Sequence, residues 1–308
     1  MNPDQFTNQE LFLEVGDGHQ LYIQDWGNKN ATVPIVFLHG GPGGCVKDHH
    51  KTPFDPTLER VIFFDQRGCG KSLPYGSLEH NTTQDMLDDI EKIAEHLKLD
   101  GFIVAGGSWG SCLALAYALK HPRRVKAMVL RGIFTGSQSE IDWLNNGYYQ
   151  KIFPDVWAEY LRQTPKAHHG DPSKYHFARI LGANEQAAKE SAYAYDNFEA
   201  ALLCLDDRFM PEKFENYDPA GTKIEAHYLV NRCFMPDRFI MDNAHKLTMP
   251  IWLIQGRYDM VCPPVTAYEL NQKLPNSQLI WTVAGHNGSD RSNHDVNRTV
   301  LLQMVTAK

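Results

Sequence analysis

The sequence lacks the features that mark several large classes of protein. Its 308 residues include 30 lysines and arginines against 37 aspartates and glutamates, which gives a formal net charge of −7. The basic residues are scattered, whereas a protein that binds a phosphate backbone needs a concentrated basic surface. The longest apolar runs, such as "IVFL" and "VIFF", are far shorter than the roughly 20 residues of a membrane-spanning helix. We therefore expect neither nucleic acid nor a membrane as a partner.

Cysteine is scarce, and its spacing forms no known pattern. The six cysteines include no Cys-x-x-Cys pair, so reduced thiols in a cytosolic protein are the expected state. They are Cys45, Cys69, Cys112, Cys204, Cys233 and Cys262. The first residues, "MNPDQFTNQE", are polar and do not resemble a signal peptide. These features together predict a cytoplasmic protein.

The glycine-rich loops do not match nucleotide-binding motifs. "GCGKS" resembles the end of a phosphate-binding loop, but Asp65 stands where that motif needs glycine. Neither "HGGPGG" nor "GGSWGS" contains Gly-x-Gly-x-x-Gly. The neighbouring histidines at His49 and His168 lack the i,i+4 spacing of a helical zinc site. We expect no cofactor and no metal.

Short apolar runs that alternate with helical patterns indicate the fold class. Runs such as "PIVFL", "RVIFF" and "FIVAGG" are each followed by a loop or by helical spacing, and the pattern resumes at "PIWLIQG". Such alternation predicts a mostly parallel sheet with helices on both faces. Between them lies a stretch rich in aromatic residues and alanine. We predict a first core part at 1–133, an inserted helical cap or lid at 134–245, and a second core part at 246–308.

Gly106-x-Ser108-x-Gly110 follows one apolar strand and opens a helix. This is the context of a nucleophile elbow, in which a sharp turn exposes a reactive serine. Small residues flank the serine because the backbones pass closely there. The alternative is an ordinary glycine turn. The surrounding strand and helix favour Ser108 as the nucleophile.

A serine nucleophile needs a base and an acid that orients the base. On this fold the chain order is serine, then aspartate or glutamate, then histidine. Asp259 follows the strand "IWLIQG" and His286 follows "LIWT", so both should lie at the same sheet edge as Ser108. His294 remains a second candidate for the base. We expect Ser108, Asp259 and His286 to form a catalytic triad.

Acyl transfer also needs donors for a developing oxyanion. "HGGPGG" follows the strand after which this fold places one donor, which points to the backbone N–H of Gly41. The N–H of Trp109, directly after the nucleophile, is the other candidate. In "DQRGCGKS", we expect Asp65 and Arg67 to brace their loop as an ion pair.

The order of these motifs resembles one known family. "HGGPGG", "DQRGCGKS", "GGSWGS", "LRGIF", "GRYD" and "AGH" occur as they do in prolyl aminopeptidases, also called proline iminopeptidases, which are α/β-hydrolase serine peptidases. The resemblance covers nearly the whole chain. It implies an α/β-hydrolase fold with a helical cap and the release of an N-terminal proline from short peptides.

The resemblance also implies a set of substrate-binding residues. Two cap glutamates hold the free amine in the family, and they correspond to Glu199 and Glu225. Phe134 and Cys262 match positions that line the proline-ring pocket. Two carboxylates in a partly dry pocket are suited to an ammonium group.

This sequence departs from the family at several positions of the substrate pocket. Tyr195 and Phe198 replace two tryptophans, Asn145 stands at the pocket tyrosine, and Asn287 replaces a serine after the histidine. The alternatives to an aminopeptidase are an esterase or amidase with the same triad and no amine requirement, and a binding protein on an inactive hydrolase scaffold.

Overall fold

The structure is a computed structural model that describes residues 6–143, 148–203, 205 and 213–306. These residues contain one sheet of eight strands in the order β1-β2-β4-β3-β5-β6-β7-β8. The strands are β1 (Phe6–Gly16), β2 (His19–Asn28), β3 (Ile35–Leu38), β4 (Arg60–Phe64), β5 (Phe102–Ser108), β6 (Val125–Ile133), β7 (Ile251–Gly256) and β8 (Ser277–Thr282). The predicted α/β class is therefore confirmed.

The sheet is antiparallel at one edge and parallel elsewhere. β2 pairs antiparallel with both β1 and β4, whereas every pair from β4 to β8 is parallel. The central strands are apolar and almost fully buried because helices cover both faces. β1 was not predicted, since most of its side chains are exposed or half-buried and its polar residues obscure the strand pattern.

Ten α-helices lie in the described parts of the chain. They are α1 (Thr83–His96), α2 (Trp109–Lys120), α3 (Gln138–Trp143), α4 (Pro154–Arg162), α5 (Pro172–Ile180), α6 (Glu185–Leu203), α7 (Ala220–Val230), α8 (Phe239–Asn243), α9 (Pro264–Lys273) and α10 (Arg291–Thr306). None of the helices in these parts is both long enough and apolar enough to cross a membrane.

Helix α1 shows how local sequence sets an element. Thr82 is its N-cap and accepts a hydrogen bond from the Asp85 N–H, while the Asp85 side chain accepts from the Thr82 N–H. This capping box contributes about 1 kcal/mol. Met86, Ile90 and Ile93 then repeat on one buried face. Helix α1 thus begins directly after a capping threonine and buries one apolar face.

Two apolar layers hold the sheet between its helices. The larger layer joins one face to α1, α2 and the helices from α3 to α9, and the smaller layer joins the other face to α10. Helix α2 is buried on all sides from Trp109 to Ala118. Because α2 packs against strands and helices at once, its first turn is held rigidly at the carboxyl edge of the sheet.

The chain leaves the sheet at Ile133 and returns to it at Ile251. The described elements between these residues are helical, from α3 to α8. They begin at the carboxyl edge of β6, which is the edge at which α/β sheets bind ligands. Cys204 lies outside the described residues, and the other five cysteines are free thiols.

Candidate active site

Ser108 occupies a sharp turn between β5 and α2. Its backbone has φ 58° and ψ −126°, a conformation that costs an L-residue roughly 1–3 kcal/mol. The turn passes very close to β3: a Cβ on Gly110 would lie 2.1 Å from the carbonyl oxygen of Leu38. Glycine is therefore required at position 110. Ser108 is held in a strained conformation by packing against a buried strand.

Asp259 and His286 form a hydrogen-bonded pair. The His286 Nδ1 atom lies 2.9 Å from Asp259 Oδ2, and both residues are buried. The other carboxylate oxygen, Oδ1, accepts hydrogen bonds from the N–H groups of Val261 and Cys262 at 3.0 and 2.8 Å. His286 follows β8 and its N–H donates to the Leu203 carbonyl. The carboxylate is thus fixed by its own loop and orients the imidazole.

Sheet pairing brings this pair to the elbow. Ser108 pairs in register with Ile133 on β6. The preceding residue, Gly132, lies so close to the pair that a Cβ there would be 3.0 Å from His286 Cε1 and 3.5 Å from Asp259 Oδ2. The three predicted triad residues therefore share one edge of the sheet.

His294, the alternative base, is placed elsewhere. Its Nε2 atom lies 3.2 Å from Thr52 Oγ1, and its Nδ1 atom lies 3.4 Å from Asp295 Oδ1. Asp295 is a largely exposed residue of α10. The geometry favours His286.

Gln255 is a residue of the site that sequence reasoning missed. Its side chain on β7 donates to Asp259 Oδ2 at 3.1 Å and to the Cys262 carbonyl at 3.0 Å, and it accepts from the Ile133 N–H at 2.8 Å. Gln255 is fully buried, so it fixes the acid, its loop and the end of β6 together. The signal in the sequence was a glutamine at the end of an otherwise apolar strand.

The two predicted oxyanion donors flank Ser108. Trp109 is the first residue of α2, where backbone N–H groups have no partner within the helix and the helix dipole is positive. Its side chain is anchored by a hydrogen bond from Nε1 to Gln66 Oε1 at 2.9 Å. The loop after β3 packs on the serine, because a Cβ on Gly40 would lie 3.4 Å from Ser108 Cβ. Gly41 follows directly.

Six of the predicted site residues border a single small cavity. It lies between the elbow, the loop after β3 and helices α3, α6 and α7. These six residues are Gly41, Ser108, Phe134, Glu199, Glu225 and Cys262. Asp259, His286 and Trp109 lie beside the cavity and do not line it. The chain thus brings residues from both sides of the long helical segment to one place.

Glu199 and Glu225 form an unusual buried acidic pair. They lie on α6 and α7 and share a hydrogen bond. Burial raises the pKa of Glu199 to about 7, and the charge of Asp196 adds to the rise. Burial also raises the pKa of Glu225 well above its usual value, with repulsion from Glu199 and Asp196 as further causes. The pair therefore retains a proton near neutral pH when no cation is bound.

One departure from the family pattern contacts this pair. The Tyr195 hydroxyl donates to Glu225 Oε1 at 3.3 Å, so this tyrosine supplies a polar contact in the pocket wall. Phe198 stacks on Tyr160 with ring centroids 4.5 Å apart and belongs to the apolar support. Asn145 lies outside the described residues. The Asn287 N–H donates to the Leu203 carbonyl at 2.9 Å, beside the N–H of His286.

Cys262 closes the cavity beside the nucleophile. Burial raises the pKa of its thiol well above the usual value, while a hydrogen bond with Ser108 lowers it in part. The thiol is therefore neutral and serves as a small, weakly polar wall. Among the described residues, no group of three or more histidines, cysteines or acids is arranged to hold a metal ion.

The predicted ion pair between Asp65 and Arg67 is wrong. Arg67 is buried and binds Asp89 through Nε and Nη2, at 2.6 and 2.8 Å. Asp65 instead accepts hydrogen bonds from the N–H groups of Val46 and Lys71. The prediction failed because backbone N–H groups occupy the Asp65 carboxylate, and α1 offers Arg67 a better placed carboxylate in Asp89.

Comparisons with known proteins agree on fold and family. A family model described as alpha/beta hydrolase fold matches residues 33–289. A proline iminopeptidase from Arabidopsis thaliana is 39% identical over 90% of this chain and 75% of its own length. Another, from Neisseria meningitidis, is 37% identical over 91% of this chain and 90% of its own length. The crystal structure of a Mycobacterium smegmatis proline iminopeptidase superposes with a TM-score of 0.61 and 20% identity, covering 96% of this chain and 97% of that one.

Proposed function

We propose that this chain, which belongs to the proline iminopeptidase family of α/β-hydrolases, is a serine aminopeptidase. It releases an N-terminal proline from short peptides. The observation that carries the proposal is that Ser108, Glu199 and Glu225 line the same cavity. A nucleophile and a site for a cation are thus next to each other. An esterase or amidase of this fold requires the nucleophile but not the cation site.

In the proposed reaction, Ser108 attacks the first peptide carbonyl and His286 takes the hydroxyl proton. Asp259 holds the imidazole in the orientation that presents Nε2 to the serine, as its 2.9 Å contact with Nδ1 allows. The N–H groups of Gly41 and Trp109 stabilise the oxyanion. His286 then gives its proton to the leaving amine, and water hydrolyses the acyl-enzyme.

Glu199 and Glu225 select a free N-terminus in this proposal. The secondary amine of proline is protonated, and an ammonium group that replaces the proton shared by the glutamates converts their repulsion into two charge-assisted hydrogen bonds. Phe134 and Cys262 supply the apolar wall for the ring. A blocked amine carries no charge and has no equivalent interaction.

We further propose that residues 134–245 act as a lid and that the protein works in the cytoplasm. The lid proposal is supported by the position of α6 and α7 above Ser108 and by the contact of Trp109 with Tyr228, whose rings are 4.9 Å apart. The cytoplasmic proposal is supported by the free cysteines of the described residues. Because α7 carries both Glu225 and Tyr228, its movement would open the cavity and also break the contact between Tyr228 and Trp109.

The decisive experiment compares L-proline p-nitroanilide with its N-acetylated form. We expect kcat/KM for the free amine to exceed that for the blocked form by at least about a hundredfold, since two charged hydrogen bonds are lost. Ser108→Ala should abolish both activities. Equal turnover of the two substrates by the unmodified enzyme would instead indicate an amidase without an amine requirement.

A further inference from the structure

A second cavity borders the nucleophile elbow and has a lining different from that of the substrate cavity. It is bordered by the glycines before Ser108, by the residues after His286 and by the segment around His50. Its volume is about 100 Å³, whereas a single water needs roughly 10–15 Å³. Its polar side chains include Arg131, His49, His50, Thr52, His294 and Asn297. No aspartate or glutamate is found among the described residues that line it.

Arg131 is enclosed by the catalytic loops but lacks an acidic partner. A Cβ on Gly107 would lie 2.5 Å from its Nη2 atom, and one on Gly288 would lie 2.9 Å from its Nε atom. The guanidinium thus occupies space left by two glycines. Its one described hydrogen bond runs from Nη1 to the carbonyl oxygen of His286, and within the described chain it forms no ion pair. Arginine has five N–H donors, so most of its hydrogen-bonding capacity remains unused.

The imidazoles around the cavity experience this positive charge. Burial lowers the pKa of His50 to about 3, and His49, His39 and Arg131 add to the effect through their charges. Burial also lowers the pKa of His49, with a contribution from Arg131. Both imidazoles are therefore neutral at pH 7 and can donate an N–H, while the Arg131 guanidinium carries the positive charge at this wall.

The nearby acids do not cancel this charge at the cavity. Asp48 is fully exposed and pairs with Lys51 at 3.1 Å. Asp290 accepts a hydrogen bond from the Gly285 N–H. Asp259 binds His286. Asp259 and Asp290 act on Arg131 only through longer-range attraction, which opposes the lowering of its pKa by burial.

We propose that this cavity is a binding site for a small oxyanion, such as phosphate or a carboxylate, held by the Arg131 guanidinium and the surrounding imidazole and amide donors. A planar guanidinium matches two oxygens of such a group. The available volume accommodates five heavy atoms. The anion would supply the partner that Arg131 lacks among the described residues.

The site is directly connected to the catalytic histidine. Arg131 binds the carbonyl oxygen of His286 through Nη1. An anion bound to its other nitrogens is therefore separated from the loop of His286 only by the Arg131 side chain. This coupling rests on the proposed function, because it assumes that His286 is the base. The binding of the anion does not depend on that assumption.

The first test measures binding in the absence of substrate. Sodium phosphate is titrated calorimetrically into the full chain at pH 7, with sodium chloride at the same ionic strength as the reference. We expect one phosphate per chain and a rise in Tm that depends on phosphate concentration. Asn297→Asp places a carboxylate in the cavity with little change in shape, and should weaken phosphate binding by at least about tenfold through like-charge repulsion. His168→Gln, at an exposed histidine far along the chain in the helical segment, is the matched control and should bind phosphate as the unmodified protein does.

Two results would overturn the proposal. One is a phosphate response no larger than that of chloride, and the other is equal phosphate affinity in Asn297→Asp and the unmodified protein. Neither measurement involves turnover, so a negative binding result would not count against the proposed peptidase activity. An inactive enzyme that binds phosphate would refute the function and leave the site intact.

Two further experiments identify the source of the anion that fills the second cavity. Phosphate binding is repeated with Ser108→Ala in the presence of the dipeptide Pro-Ala or its C-terminal amide. Displacement by the acid and not by the amide supports a site filled by the carboxylate of the bound peptide. Binding unaffected by either peptide supports a site for a free anion.

Discussion

At the scale of single residues, the charge state of the acidic pair decides what the pocket recognises. Glu199 has a pKa of about 7 because it is buried beside other carboxylates. Its carboxyl group is neutral below this pH and negative above it. An ammonium group therefore meets an attractive site only when the pair has lost a proton.

This leads to a prediction for substrate binding as a function of pH. For L-proline p-nitroanilide, KM should rise as the pH falls through about 7, because protonation of Glu199 removes the attraction. In Glu199→Gln this inflection should disappear, and KM should be raised by roughly 10–100-fold at pH 8, in keeping with the loss of a charged hydrogen bond. Steady-state kinetics from pH 5.5 to 9 measures both effects.

Glu185→Gln is the matched control, since Glu185 is exposed at the start of the same helix. It should leave the KM profile unchanged. A Glu199→Gln variant that keeps the inflection near pH 7 would show that another group controls amine binding.

At the scale of elements, the turn between β5 and α2 tolerates little change in side-chain size. It joins a buried strand to a helix buried on all sides, and it rests on the backbone of β3. The strain at Ser108 persists because both flanking elements are held in place. Chemistry and core packing thus depend on the same few backbone contacts.

We predict that Gly110→Ala destabilises the protein by about 3 kcal/mol or more and abolishes hydrolysis. The new methyl group would lie 2.1 Å from the Leu38 carbonyl oxygen, so the backbone of the elbow or of β3 must move. Urea unfolding and turnover of L-proline p-nitroanilide measure the two effects.

Gly170→Ala serves as the matched control for this substitution. A Cβ there meets nothing within 4 Å, and a change within about 0.5 kcal/mol is expected. Comparable stability of the two variants would mean that the elbow packs less closely than the structure indicates.

At the scale of the whole molecule, buried ionisable groups govern how stability depends on pH. Glu59 is fully buried. One of its oxygens accepts a hydrogen bond from the Asp55 N–H, and the other has no partner within the described residues. Burial raises the pKa of Glu59 from 4.5 to about 7. The folded state therefore binds this proton more tightly than the unfolded chain does.

The sign of the effect follows from linkage. Between pH 4.5 and about 7 the folded state carries more protons at this site, so the contribution of Glu59 to stability falls as the pH rises. Glu59→Gln should remove this loss. We predict that the variant gains stability relative to the unmodified protein as the pH increases, approaching on the order of 3 kcal/mol at pH 8.

Chemical unfolding at pH 5 and pH 8 tests the prediction. Glu269→Gln, at an exposed position of α9, should change stability little and by the same amount at both pH values. A Glu59→Gln effect that does not increase with pH would contradict the proposed cause.

Local patterns in the sequence were sufficient for much of the fold. Apolar runs predicted the central strands, and Gly-x-Ser-x-Gly predicted the elbow; the spacing of Met86, Ile90 and Ile93 is likewise a local pattern, typical of a helix with one buried face. These features depend on residues that are close in sequence, and their physical causes are backbone sterics and burial. β1 escaped prediction because its pairing with β2, and not its own composition, makes it a strand.

Contacts between residues far apart in the chain could be assigned only from the tertiary structure. The sequence left His286 and His294 as alternatives, and only the approach of β7 to β8 pairs Asp259 with His286. It suggested an Asp65 partner for Arg67, whereas the packing of α1 supplies Asp89.

Local sequence patterns predicted a hydrolase fold and a serine nucleophile, and the resemblance to a family added the expected substrate-binding residues. Only the tertiary structure placed Glu199 and Glu225 together above Ser108, with a common cavity and a shared proton. It alone revealed Arg131 behind the catalytic loop. The reason is that burial and charge repulsion arise between helices and strands far apart in the chain, and no local pattern encodes their distance.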